Sequence, residues 1–227
     1  MSSVLEALPP VSGSRLLRET VYEQLRADVI SCKLAPGAEI REAELAARFD
    51  MSKSPVRDAL MRLEREGLVI TSPRQGYRVA PVSLGDVLDM FHLRAALERA
   101  CIERIVARAT DEQLKTLDTF RRFVPADWAG GFIAFNRAFH RRIAELGGNA
   151  RMRDQLNDLI DQLERAVQVS VASLRWGDPQ VLVNEHAEII DALQARALKR
   201  AQRLAERHIA QAGRRVSNAI SKSLIAG

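Results

Sequence analysis

Apolar residues at Leu17, Val21, Leu25 and Val29 recur at helical spacing and predict an amphipathic helix from Arg15 to Ser31. The stretch LAPGAEI then interrupts the pattern with a Pro-Gly turn. Helical spacing resumes over residues 42–49 (EAELAARF), and again from Ser52 to about Glu66, where Gly67 supplies a stop. Two β-prone segments follow, LVIT and YRVA, joined by SPRQG, and these predict a small hairpin. Beyond Pro81 the pattern is helical throughout. It divides at short breakers into segments 84–109, 111–123, 127–146, 149–175, 179–196 and 198–222, with no strand signal.

This order predicts a mainly α protein, with a winged helix-turn-helix over 15–80 followed by an all-α helical bundle over 81–227. Residues 1–14, rich in Ser, Pro and Gly, read as a flexible arm. Composition adds three limits. No apolar run reaches the roughly 18 residues that cross a bilayer. The N-terminal segment lacks the basic-then-apolar layout of a secretion signal, so a cytoplasmic location is expected. Cys32 and Cys101 stand far apart, which excludes a disulfide framework and a Cys-x-x-Cys zinc site.

The net charge of +5 points to an acidic partner, and its distribution narrows the choice. Residues 53–80 carry six cations against three anions. Residues 194–227 carry eight against one, a face that either meets phosphate or is simply solvated. In SKSPVRDALMRLEREGLV a proline falls where only the first turn of a helix tolerates it. Pro55 therefore marks a helix start, with Ser52 or Ser54 available as cap. Lys53 and Arg57 then share the N-terminal face, while Leu60 and Leu63 point inward. Cations and small hydroxyls on a first turn are what a recognition helix offers a major groove. In the hairpin, Arg74, Gly76 and Arg78 are placed to follow the DNA backbone or enter a minor groove.

The helical region carries polar groups on apolar faces. Arg94 and Glu98 fall within the stripe Val87, Phe91, Cys101, Ile102 and Ile105. They form either an internal ion pair or an arginine aimed at a cavity to grip a carboxylate. His186 centres the stripe of Leu182, Val183, Ile189, Ile190 and Leu193, and His208 lies among small residues including Ala201, Ala205 and Ala212. His140 and Asn136 flank the stripe of Phe132, Phe139, Ile143 and Leu146, whereas His92 falls on a polar side. One inward histidine is ordinarily a core residue. Three on three helices suggest a converging ligand set for zinc or a related divalent ion, as helical bundles build them.

The run LAPGAEIREAELAARFDMSKSPVRDALMRLEREGLVITSPRQGYRV resembles the DNA-binding domain of the GntR family of bacterial transcription regulators. That family usually has Arg at Lys53 and Glu at Asp58, and some members place an Arg at Ala43. NRAFHRRIAELGGN, NEHAEIIDAL, LRAALERA and the late His208 look like the FCD ligand-binding domain of one GntR branch, with six helices favouring the VanR-like subgroup. The resemblance implies a homodimer on a palindromic double-stranded DNA operator. It implies DNA contacts from Lys53, Ser54, Arg57, Arg74 and Gly76, with Arg57 on a base. It also implies a divalent metal, Zn2+ foremost with Ni2+ or Mn2+ as alternatives, held by Asn136, His140, His186 and His208. Arg94 would bind a small carboxylate effector beside it.

Asn136 departs from the Asp that metal-binding members often carry, and this leaves the expected site without a charged ligand. The expected function is a ligand-responsive regulator, most simply a repressor. A zinc enzyme on the same histidines lacks a motif for its acid or base, Glu98 being the one inward candidate. A purely architectural DNA-binding protein would have no use for inward Arg94 and three histidines.

Overall fold

The computed structural model describes residues 13–72, 76–173 and 179–225. The chain divides into two compact units, Met1–Pro81 and Val82–Gly227. Of the arm expected over 1–14, residues 1–12 lie outside the described residues, and Gly13 opens a helix.

The first unit contains α1 (Gly13–Ile30), β1 (Glu39–Ile40), α2 (Glu42–Arg48), α3 (Lys53–Arg65), β2 (Val69–Ser72) and β3 (Gly76–Val79). Val21, Leu25 and Val29 of α1 are fully buried against Val56, Leu60 and Leu63 of α3, as the helical spacing requires. The expected hairpin is the antiparallel pair β2–β3, in register from Val69↔Val79 to Ser72↔Gly76. The sequence pattern missed β1, which adds to β3 through Glu39↔Arg78 and Ile40↔Tyr77. Two residues are too short to display an alternation, so only the pairing defines that strand.

The second unit contains α4 (Leu84–Arg108), α5 (Asp111–Lys115), α6 (Gly131–Leu146), α7 (Ala150–Ser173), α8 (Pro179–Gln194) and α9 (Leu198–Ile225). Ser83 caps α4 by accepting from the Asp86 amide, and a Thr110–Gln113 capping box starts α5. The helix expected over 111–123 ends early, tightening into a 3-10 turn over Thr116–Arg121. There Phe120 packs against Trp128, Phe135 and Phe139, a cluster reached by the tighter turn. The helix expected from 127 begins instead at Gly131, because Gly130 takes a left-handed φ of 97° that stops helical propagation. Helix α9 packs against α4, α7 and α8. Its Arg207 pairs with Glu188 of α8 at 2.7 Å, and Arg196, in the turn between α8 and α9, pairs with Asp111 at 2.7 Å. No helix among the described residues is long and apolar enough to cross a membrane.

Candidate metal centre and nucleic-acid interface

In the first unit, Ser52 stands at the N-cap of α3 in extended conformation, and Pro55 falls in the first turn, where its missing N–H costs nothing. The inward face of α3 is Val56, Ala59, Leu60 and Leu63. This leaves Lys53, Ser54 and Arg57 exposed together on the opposite side. Arg57 is already engaged: its Nε donates to Glu42 Oε1 at 2.9 Å and its Nη2 to Oε2 at 2.8 Å. This fork holds the Glu42 carboxyl below its usual range and raises the Arg57 guanidinium. Sequence reasoning missed Glu42, because an acid at the start of α2 acquires meaning only once α2 and α3 cross. Gly76 opens β3 with φ +93°, and a Cβ there would lie 3.0 Å from the Ile40 carbonyl oxygen. Arg78 is half-buried in the same strand, and Arg74 lies outside the described residues.

In the second unit, α6, α8 and α9 bring His140, His186 and His208 together, with a ring nitrogen from each within 4.8 Å of the others. Their relative exposures are 1%, 0% and 2%, so all three rings are buried. His140 Nε2 faces His208 Nε2 at 3.3 Å. The Nδ1 of His140 lies 2.9 and 3.1 Å from the two oxygens of Glu98, and the Nδ1 of His208 lies 2.5 Å from Glu185 Oε2. His186 stacks on Phe139 at 3.9 Å between ring centroids, and both of its nitrogens are buried without a partner.

Burial pushes the His186 imidazole well below its ordinary value, assisted by His208, His140 and Arg94. Burial, reinforced by Arg94, brings His140 down to about 4. Both rings are therefore neutral at neutral pH, the form in which imidazole ligates a metal. For Glu98, burial pulls upward, but His140 and Arg94, through charge and hydrogen bonds, outweigh it and bring the carboxyl to about 2.

These residues fit a divalent cation. A buried polar group without a partner costs about 1–3 kcal/mol, and His186 presents two such atoms. Bonds of about 2.0–2.1 Å from a tetrahedral zinc would set two nitrogens roughly 3.3–3.4 Å apart, and the His140–His208 pair stands at 3.3 Å.

Arg94 and Glu98 are both buried, joined by Nε to Oε1 at 2.8 Å. The two readings of that pair are compatible, because Arg94 Nη2 remains buried and unpartnered. Arg94 and Asn136 line two adjoining clefts. One of these also meets His140, the other His208 and Arg215, with Phe91, Val167, Leu182 and Val216 as apolar wall. Asn136 sits one turn before His140 and is half-buried. Glu185 was not anticipated from the sequence. His92 is exposed, as its polar side predicts.

A winged helix-turn-helix unit paired with an all-α bundle suits a class of DNA-binding regulator, and the chain's similarities agree. Residues 17–79 match the bacterial regulatory proteins, gntR family, and residues 89–211 match the FCD domain. The chain belongs to the GntR family of DNA-binding regulators and carries its FCD domain. Membership places it among transcription regulators, not enzymes. It is 32% identical over 184 residues to an HTH-type transcriptional regulator in an unstable DNA locus of Streptomyces ambofaciens, covering 80% of this chain and 77% of that protein. It is 26% identical over 197 residues to the HTH-type transcriptional repressor RspR of Escherichia coli K12, covering 85% and 86%. Among solved structures, E. coli McbR/YncC superposes with a TM-score of 0.74 at 19% identity, over 91% of this chain and 98% of that one, a likeness of fold.

Proposed function

We propose that this protein is a metal-assisted, ligand-responsive transcription regulator of the VanR-like subgroup. In this reading it acts as a cytoplasmic homodimer on a palindromic operator. The six α-helices of the second unit among the described residues support the subgroup. The name of RspR supports the sign, repression. Lys53, Ser54 and Arg57 enter the major groove, while Gly76 and Arg74 at the hairpin follow the backbone. The second unit senses. His140, His186 and His208 hold a divalent ion, Zn2+ foremost with Ni2+ or Mn2+ as alternatives, and Asn136 adds its neutral amide oxygen. Bound there, the ion would act as a Lewis acid that fixes one carboxylate oxygen of an effector. Arg94 Nη2, buried and unpartnered, takes the same carboxylate.

The observation that carries this reading is the buried cluster of three imidazoles with two Nε2 atoms 3.3 Å apart. An operator gel shift in the presence of Zn2+ and a panel of small carboxylates tests it. One class of carboxylate should weaken the shift. His186→Ala should abolish that response while leaving DNA binding. A response that survives His186→Ala defeats the metal-assisted reading.

A further inference from the structure

The two inner faces of the histidine cluster are set by groups outside it. An ionised carboxylate only accepts hydrogen bonds, so the ring nitrogen facing it must carry hydrogen. Glu98 faces His140 Nδ1 with its two oxygens at 2.9 and 3.1 Å, and Glu185 faces His208 Nδ1 at 2.5 Å. Both rings therefore turn a bare Nε2 lone pair inward, and these two nitrogens stand 3.3 Å apart. Two lone pairs at that distance repel unless a cation lies between them. His186 differs, with no outer partner on either nitrogen and its face against Phe139.

We propose that Glu98 and Glu185 are positioning residues for the metal. Each fixes the tautomer and orientation of one histidine ligand, and His186 is the ligand left free to choose its nitrogen. This rests on the metal-binding reading. Outer carboxylates of this kind orient imidazole ligands and raise their basicity. Here they also return negative charge next to the ion, which a neutral Asn136 does not bring. Each carboxylate is itself held. Glu98 receives Arg94 Nε at 2.8 Å, and Glu185 has Arg215 at 3.9 Å. Glu185 and His186 are chain neighbours on α8, so one dipeptide serves two rings: Glu185 orients His208 and His186 ligates directly.

The test uses the full-length protein stripped of metal. Imidazole 15N–1H correlation spectra should find hydrogen on Nδ1 of both His140 and His208. Zn2+ and Co2+ affinities, measured by chelator competition, should fall about 10–100-fold in Glu185→Gln and in Glu98→Gln. The metal-free unfolding midpoint of Glu185→Gln should stay near that of the wild type, which separates positioning from folding. If Glu98→Gln fails to fold because Arg94 loses its buried partner, Glu185→Gln alone decides. A bare Nδ1 on either ring, or a Glu185→Gln protein that binds both ions as tightly as wild type, overturns the proposal. A wild type that takes up neither ion refutes the metal-binding reading itself, and the proposal falls with it.

Discussion

At the residue scale, the guanidinium of Arg57 is half committed before any DNA arrives. Glu42 occupies Nε and one hydrogen of Nη2, which leaves Nη1 and the outer Nη2 hydrogen as a free fork. That fork suits the O6 and N7 acceptors of a guanine, and a preset orientation reduces the freedom lost on binding. Arg57→Ala should lower discrimination at one operator base pair by about tenfold or more, as read by competition between the operator and single-base variants. Unchanged discrimination would remove Arg57 from base reading. Lys53→Ala should instead weaken all sequences alike and flatten the salt dependence. The three histidines were legible in the sequence because His186 centres an apolar stripe, His140 flanks one and His208 lies on a face of small residues, positions that one-dimensional periodicity exposes. Glu42 and Glu185 were not, because nothing in their own helices marks them. Their partners come from other helices at crossing angles that no spacing encodes.

At the element scale, α1 is fastened to the C-terminal end of α3. Tyr22 donates to Glu66 at 2.5 Å, Arg26 meets the same carboxylate at 3.1 Å, and Arg62 lies 3.6 Å over the Tyr22 ring. Burial and the Glu66 contact raise the Tyr22 phenol from 10.0 to about 12. A raised folded-state value means that this contact contributes fully below pH 10 and is lost as pH climbs through about 12. Between those values the unfolded chain has already released a proton that the folded one keeps, so stability falls with rising pH. Urea unfolding from pH 9 to 12 should therefore show a steeper alkaline decline in wild type than in Tyr22→Phe; equal slopes would contradict the assignment. The same scale marks where element boundaries were illegible. The end of α5 depends on Phe120 reaching three aromatic rings, and β1 exists only through its partner strand. Long amphipathic helices such as α4 and α8 were readable, since their stripes extend over several turns.

At the scale of the whole molecule, the two units should respond differently to metal. An ion bound only by the folded helical unit stabilises it by mass action, about 2.7 kcal/mol at a hundredfold excess over Kd. Calorimetry across a Zn2+ series should raise the transition carrying the helical unit in graded steps, without moving that of the unit ending at Pro81. His208→Ala should remove the graded rise. A shift of both transitions together, or of neither, would count against separate sensing and reading units. The clefts beside the cluster also carry a consequence. His140, His186 and His208 are all at 2% exposure or less, and the clefts that reach His140 and His208 are lined by Arg94 and Asn136. An effector seated there on the proposed ion would tighten the ion's hold by the same factor by which the ion tightens the effector's. A regulator built this way would read metal supply and effector supply as a product, answering only when both are present.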